Sequence, residues 1–198
     1  MRLFAALWPP QQAVRELDRA TMPLRNIPGA EALRWTQPES WHFTLSFYGE
    51  VTEDQAADLG ARLARAAQRA EGPVPVRLAG AGRFGDRTLW AGLDKEDTDR
   101  EALKKLAAAT TAAGRRAGLL PPDEHPSFHA HLTLARARGR GRGSSGVDLR
   151  PYVTQLEPFQ GSSWTARELL LVRSAPPRSA VPGEQPRYEP LDRWPLGP

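Results

Sequence analysis

A four-residue pattern of the type His-x-Thr-Leu occurs twice in the sequence and contains the side chains best suited to acid–base chemistry. The first copy is His42–Leu45 (HFTL) and the second is His131–Leu134 (HLTL). The chain has 4 His in all, so two of them at the head of the same pattern make a chance match improbable. One copy alone would not be informative.

The spacing within the motif predicts that its polar side chains share one face of a strand. Residues i and i+2 of a strand point to the same side, so the imidazole and the hydroxyl of each copy point the same way. Imidazole has an ordinary pKa near ~6.5, so one ring can be neutral while another is charged close to neutral pH. Two such strands facing each other would offer a general base, a general acid and two hydroxyl donors, which suits metal-free hydrolysis of a phosphodiester. The predicted site residues are His42, Thr44, His131 and Thr133, and the predicted core residues are Phe43, Leu45, Leu132 and Leu134.

The elements that position the motifs are predicted from periodicity and from helix-capping patterns. Helices between some strands, and adjacent strands elsewhere, favour an α+β fold with antiparallel pairing over a doubly wound parallel sheet. Each half has one motif strand and one capped helix, which an internal duplication would explain. The predicted strands are Arg2–Leu7, Trp41–Tyr48, Val74–Ala79, Thr88–Leu93 (after a turn around Gly82 and Gly85), His129–Arg136, Glu168–Ser174 and Arg187–Leu191. The predicted helices cover 11–25, run from a capping box at Thr52–Gln55 to about Ala70, and run from a second capping box at Thr98–Glu101 to about Ala117, with Gly118 as the cap.

The composition is that of a soluble globular protein, and the length of residues 1–198 fits one domain or two small lobes that share a core. The chain has 40% hydrophobic and 25% charged residues and no Cys. The lack of Cys excludes a disulfide framework, a thiol nucleophile and a Cys-based zinc site. The start of the chain, MRLFAALWPP, is too short and too soon broken by Pro to be a signal peptide, and no apolar run is long enough for a membrane span. We therefore expect a cytoplasmic protein with no membrane contact.

The net charge of +4 indicates a weak preference for anionic partners. Part of the excess is local, because four arginines occur in a glycine-rich loop predicted over 137–146 and at its edge. Two interpretations stay open: the loop either attracts phosphates beside the site, or is simply a flexible solvated segment. The arginines are Arg136, Arg138, Arg140 and Arg142.

The motifs and their surroundings resemble the two-histidine (2H) phosphoesterase superfamily, and within it the bacterial and archaeal RNA 2′,3′-cyclic phosphodiesterases, also called 2′-5′ RNA ligases. The resemblance extends over nearly the whole chain. The segments that carry it are RLFAAL, WHFTLSFYGEV, GRFGDRTLWAGL, FHAHLTLAR and RYEPLDRWPL. The resemblance implies a bilobal α+β fold with pseudo-twofold symmetry, in which two largely antiparallel sheets line a central cleft and the helices lie outside.

The resemblance also implies an activity, namely hydrolysis of RNA 2′,3′-cyclic phosphate ends to 2′-phosphomonoesters without metal, ATP or another cofactor. The reverse reaction would join RNA ends, including tRNA halves, through 2′-5′ linkages; no obligate protein partner is predicted. By motif position, His42 is expected to donate a proton to the leaving 3′ oxygen and His131 to accept one from water. Thr44, Thr133 and Arg136 are expected to hold the phosphate. The symmetry of the motifs does not itself distinguish the acid from the base.

The chain departs from the expected pattern at two positions. Ala130 stands where the family usually has Pro, just before the second motif, so the backbone there is expected to be looser. Strict alternation also places Arg136 on the face opposite His131, so Arg136 reaches the phosphate only if the strand ends or bulges near Ala135.

Two aromatic residues, Phe4 and Trp41, flank the expected site. Each either stacks on a nucleobase or packs in the core.

Two other functions remain as alternatives. A non-catalytic RNA-binding module using the Arg/Gly loop would explain the charge but not the repeated motif. A zinc hydrolase would use His125, His129 and His131, with Asp123 or Glu124 nearby. Pro126 disfavours the single helix that would bring the first two of these histidines together.

Overall fold

The computed structural model describes residues 1–121, 128–138, 147–176 and 185–198, and within these ranges nine strands and four α-helices form two sheets with helices packed against them. The strands are β1 Arg2–Leu7, β2 Leu33–Trp35, β3 Phe43–Glu50, β4 Val74–Phe84, β5 Thr88–Leu93, β6 Leu132–Ala137, β7 Gln160–Ala166, β8 Glu168–Ala175 and β9 Arg187–Pro195. The helices are α1 Gln11–Thr21, α2 Glu53–Gln68, α3 Arg100–Arg116 and α4 Arg150–Leu156.

The two sheets confirm the predicted α+β fold with antiparallel pairing. One sheet has the strand order β3-β1-β8-β9 and the other has the order β2-β6-β5-β4-β7. Each strand pair in the described ranges is antiparallel. Helices α2 and α3 contact the four-stranded sheet, and α1 and α4 contact the five-stranded sheet. The two motif strands, β3 and β6, therefore belong to different sheets.

Burial follows the alternation predicted for the motif strands. Phe43, Leu45, Leu132 and Leu134 are all buried in the main core, as expected. The four-stranded sheet is apolar on both faces. Its helix-covered face contributes Leu3 and Leu171 to the main core, while its other face carries a small separate cluster made of Phe4, Ala6, Leu170 and Val172.

The helices α2 and α3 each begin at a side-chain cap, and the cap of α3 differs from the prediction. Thr52 and Gln55 form the predicted reciprocal capping box of α2. At α3 the N-cap is Asp99 rather than Thr98, because the carboxylate of Asp99 accepts from the backbone N–H of Ala102. The Thr98 hydroxyl instead bonds to the backbone of Arg77 in β4, both as acceptor and as donor.

Several predicted boundaries are corrected by the structure. The first helix ends at Thr21 and continues as a 3-10 helix, Met22–Asn26. Strand β4 extends to Phe84, so Gly82 lies within the strand and only Gly85 lies in the turn. The predicted cap Gly118 follows the C-cap Ala117 and adopts the left-handed conformation. Strands β2 and β7 and helix α4 were not predicted at all.

The predicted Arg/Gly loop over 137–146 falls mostly outside the described residues. Ala137 is the last residue of β6, and the backbone N–H of Arg138 donates to the carbonyl of Ala32. Arg140 and Arg142 lie outside the described residues, so both interpretations of the loop remain predictions. None of the described helices is long and apolar enough to cross a bilayer.

Candidate active site

A cavity of about 540 Å³ is lined by residues of both sheets and by both motifs. The four-stranded sheet contributes β1, β3, β8 and β9, and the five-stranded sheet contributes β2 and β6. Six of the seven predicted site residues line this cavity: Phe4, His42, Thr44, His131, Thr133 and Arg136. Two segments that are 89 positions apart in the sequence (131 − 42) therefore meet at one site.

The two motif imidazoles are anchored in the same way. Nδ1 of His42 lies 2.7 Å from the carbonyl oxygen of Ser40, and Nδ1 of His131 lies 2.7 Å from the carbonyl oxygen of His129. A carbonyl only accepts hydrogen bonds, so Nδ1 is the donor in each neutral ring. Nε2 is left as the nitrogen that can exchange a proton with a substrate. Both histidines immediately precede their strands, β3 and β6, rather than lying within them as predicted.

Burial makes both imidazoles weaker bases than a free imidazole. It lowers the pKa of His42 to about 4, and the positive charges of Arg136 and His131 act in the same direction, against the hydrogen bond to Ser40. Burial also lowers the pKa of His131, again assisted by Arg136 and opposed by the hydrogen bond to His129. Both rings are therefore predominantly neutral at pH 7 in the free protein.

A bulge at the leucine of each motif determines which later side chain reaches the cavity. In the pairing of β1 with β3, Ala6 is opposite Thr44 and Ala5 is opposite Ser46, so Leu45 has no partner. In the pairing of β5 with β6, Trp90 is opposite Thr133 and Leu89 is opposite Ala135, so Leu134 has no partner. An extra residue shifts the alternation of every side chain beyond it.

The second bulge is the irregularity near Ala135 that Arg136 needs in order to reach the same side of the strand as Thr133. Leu134 and Ala135 are both buried, and Arg136 lines the cavity with Thr133. The first bulge has the same effect on Phe47, whose side chain is 46% exposed and lines the cavity although it is not among the predicted site residues. Phe47 lies three residues after Thr44, as Arg136 lies three residues after Thr133, and this equivalent position in the repeated motif was the signal that could have identified Phe47.

The cavity is lined by three arginines, of which two were not predicted. Arg2 and Arg34 join Arg136, and neither Asp nor Glu occurs among the described lining residues. Arg34 lies directly opposite Arg136 in the pairing of β2 with β6. Such a surface favours an anion. Arg34 could not be selected from the sequence because β2 is only three residues long.

Aromatic rings surround each imidazole. The ring of Phe4 lies 4.8 Å and that of Tyr188 lies 5.0 Å from the ring of His42, measured between centroids. Phe84 lies 4.8 Å from His131. Trp41, the seventh predicted residue, does not line the cavity: it is 2% exposed and belongs to the main core, so of its two predicted roles the structure favours core packing.

The zinc alternative receives no support from the described residues. They contain no group of three potential metal ligands. His129 and His131 have stacked rings whose centroids are 6.1 Å apart, and Nδ1 of His131 is bonded to backbone. Asp123, Glu124 and His125 lie outside the described residues, so this alternative remains for experiment.

The chain is similar to one described protein family and to relatives that share one name. Residues 7–90 match the family described as LigT like Phosphoesterase. A Geobacillus stearothermophilus protein named RNA 2′,3′-cyclic phosphodiesterase is 26% identical over 166 residues, covering 82% of this chain and 47% of that protein. A protein of the same name from Aquifex aeolicus is 28% identical over 125 residues, covering 61% of this chain and 64% of that protein. The chain thus matches about half to two thirds of the length of these relatives.

A solved structure has the same fold over almost the whole chain. Escherichia coli LigT complexed with 3′-AMP superimposes with a TM-score of 0.74 at 25% identity, covering 98% of this chain and 97% of that chain. The overall fold of this chain is therefore shared with a solved protein.

Proposed function

We propose that the chain is a LigT-like phosphoesterase, as the match over residues 7–90 and the shared fold indicate, and that it is an RNA 2′,3′-cyclic phosphodiesterase, which opens a terminal cyclic phosphate to a 2′-phosphomonoester. The names of the relatives support this substrate. The observation that carries the proposal is that two identically anchored imidazoles line one cavity with two threonines and three arginines.

In the proposed mechanism, the phosphate of the cyclic end lies between the two motifs. Nε2 of His131 takes a proton from a water molecule as its oxygen attacks phosphorus, and Nε2 of His42 gives a proton to the 3′ oxygen as its bond to phosphorus breaks. The hydroxyls of Thr44 and Thr133 donate to the non-bridging oxygens. Arg136 stabilises the negative charge that develops on these oxygens. The 2′ oxygen keeps the phosphate.

This assignment requires substrate binding to change the protonation of His42. The free protein holds that ring neutral at pH 7, because burial lowers its pKa to about 4. A phosphodiester anion placed beside the ring favours the charged form and raises the pKa. Substrate binding is thus coupled to the uptake of a proton from solvent by His42, and this is the proton that the acid donates. The order of His42 as acid and His131 as base is part of the proposal.

We assign the nucleobase of the terminal nucleotide to Phe47. Its exposed ring lies on the same face as Thr44, and the guanidinium carbon of Arg2 lies 5.3 Å from the ring centroid. A base can stack on an aromatic ring or on a guanidinium plane. Phe4, the aromatic residue selected from the sequence, is 3% exposed and contacts His42 directly. We therefore propose that Phe4 packs behind the imidazole of His42 and does not stack on a base.

Joining of RNA ends, including tRNA halves, is the reverse of the same reaction, with the 5′ hydroxyl of a second RNA in place of water. It needs no residue beyond those of the hydrolytic reaction, so we retain it as part of the proposal. A cytoplasmic location remains a prediction, as does action without a protein partner.

The deciding experiment is incubation of the purified protein with an RNA that ends in a 2′,3′-cyclic phosphate, in the presence of a chelator and without ATP. We expect a product with the phosphate on the 2′ oxygen. Binding without turnover would favour the RNA-binding alternative. Turnover that the chelator abolishes and zinc restores would favour the zinc hydrolase, and a 3′-phosphate product would contradict the assignment of the leaving oxygen.

A further inference from the structure

A second cavity continues the candidate active site along one face of the four-stranded sheet. It encloses about 630 Å³, and its lining includes Trp8, Trp164, Arg167, Tyr188 and Arg193. We call it the side groove. Tyr188 lines both cavities, so the side groove begins one side chain away from the imidazole of His42.

The two cavities share one apolar floor. The cluster made of Phe4, Ala6, Leu170 and Val172 covers the sheet face opposite the helices, and Trp8 and Tyr188 pack against it. Phe4 lines the first cavity and Leu170 lines the side groove. The ring centroid of Trp8 lies 6.3 Å from that of His42. The floor is therefore continuous from the candidate reaction centre into the side groove.

The chemistry of the side groove suits single-stranded nucleic acid. Trp8, Trp164 and Tyr188 provide aromatic rings, and bases stack on such rings with little regard to sequence. Arg167 is exposed and forms no ion pair with any residue that the structure describes. Arg193 lies 3.7 Å from the carboxylate of Glu168, so that pair is close to neutral. The side groove thus has one uncompensated cation beside its aromatic rings, which is the combination that follows a phosphate backbone.

A polymeric substrate needs a surface of this kind. The 5′ oxygen of a terminal nucleotide is bonded to the rest of the RNA, so the chain must leave the first cavity along the protein. We propose that the side groove binds the nucleotides that immediately precede the reacting end, and that the protein is adapted to single-stranded RNA ends rather than to mononucleotides. This inference rests on the proposed function.

The test compares two substrates in four proteins. The substrates are adenosine 2′,3′-cyclic phosphate and a short single-stranded oligoribonucleotide with the same terminal nucleotide and cyclic phosphate. The proteins are the wild type, Arg167→Glu, Trp164→Leu and Arg69→Glu. Arg69→Glu makes the same charge change at an exposed arginine at the end of α2. Trp164→Leu keeps an apolar contact with the ring of Phe43 but removes the stacking surface, and thermal melting verifies that it folds.

We expect the wild type to have a higher kcat/KM for the oligonucleotide. Arg167→Glu and Trp164→Leu should each lower that value by about ten-fold, with little change for the mononucleotide and with no effect of Arg69→Glu. Arg167→Glu should also make the salt dependence of the oligonucleotide reaction shallower by about 0.7 in log–log slope.

Failure of this inference is distinguishable from failure of the proposed function. Equal kcat/KM for both substrates in the wild type, or equal losses on both substrates in the variants, would overturn the role of the side groove and leave the phosphodiesterase intact. If the wild type turned over neither substrate, both the proposed function and the role of the side groove would be overturned.

Discussion

Phe47 and Arg136 occupy equivalent positions in the two halves of the molecule. Each lies three residues after the threonine of its motif, each follows a bulge at the motif leucine, and each lines the same cavity. The repeated scaffold thus presents an aromatic ring from one sheet and a cation from the other. This asymmetry suits a ligand with a base at one end and a phosphate at the other.

Replacement of Phe47 tests the proposed position of the base. Phe47→Leu should raise KM for adenosine 2′,3′-cyclic phosphate by about ten-fold, because it removes a stacking surface worth roughly 1–3 kcal/mol per base, and should leave kcat nearly unchanged. Phe47→Tyr keeps the ring and is the matched control. Steady-state kinetics separates the two parameters. A loss in kcat of similar size, or an equal loss in the tyrosine variant, would contradict the assignment.

Removal of either motif imidazole tests the proposed chemistry. His42→Asn and His131→Asn should each reduce kcat for the cyclic mononucleotide by roughly 10²–10⁴-fold, which is the usual contribution of a general acid or base. Binding of an RNA end, measured by fluorescence anisotropy, should persist. His129→Asn is the matched control and should lower kcat far less than either motif variant, since the side chain of His129 does not line the first cavity and its carbonyl, which anchors His131, is unchanged. Wild-type turnover in both motif variants is incompatible with the proposed mechanism.

The part of the candidate site that the alternation of side chains along a strand determines was predictable from the sequence. The motif alone placed His42, Thr44, His131 and Thr133 around one cavity and buried the intervening residues. Arg136 was predictable only conditionally, because the bulge that turns it toward the cavity arises from the pairing of β5 with β6, which no local pattern reveals.

The elements that were missed are short or polar and gain their stability from distant neighbours. Strand β2 has three residues and pairs only with β6 in the described ranges, so its propensity is too weak to detect. Strand β7 (QGSSWTA) is an exposed edge strand whose apolar alternation is sparse. The side groove was equally hidden, because it joins residues of β7, β8 and β9 with Trp8 and Pro10, which follow β1, and with Arg167, which lies between β7 and β8.

The pH dependence of the reaction should reflect the two lowered imidazole pKa values. The profile of kcat/KM reports the free enzyme, so its acid limb should lie near the pKa of His42, about 4. Its alkaline limb should lie below about 6.5, because burial lowers the pKa of His131 from its ordinary value. The profile of kcat should be shifted to higher pH, because the bound phosphate anion raises both pKa values. Initial rates across the pH range test this, and a flat kcat/KM from about pH 5 to 9 would exclude two titrating imidazoles.

Folding stability should also depend on His42. Its pKa is about 4 in the folded protein and ~6.5 when unfolded, so the unfolded chain binds more protons between these values. The free energy of unfolding is therefore highest above about pH 6.5 and falls as the pH drops toward 4, by roughly 2 kcal/mol between pH 7 and pH 5 from this group alone. Urea denaturation at the two pH values should show a smaller loss for His42→Gln, which does not titrate. An equal loss in both proteins would mean that His42 is not buried as described.

Gly82 should be intolerant of any side chain, because the indole of Trp90 lies directly against it. A Cβ added at Gly82 would lie 2.2 Å from two carbon atoms of that ring, and Trp90 in turn packs with Phe84 against His129 and His131. Gly82→Ala should therefore cost about 1–3 kcal/mol of stability by overpacking, and it should reduce turnover by disturbing the rings around His131.

A double-mutant cycle with Trp90→Leu separates this clash from the loss of backbone freedom. In the Trp90→Leu background the smaller side chain leaves room for the added methyl group, so the cost of Gly82→Ala in the free energy of unfolding should largely disappear. An unchanged cost in the two backgrounds would show that the added Cβ does not meet the indole, and that the ring cluster beside His131 does not depend on a glycine at this position.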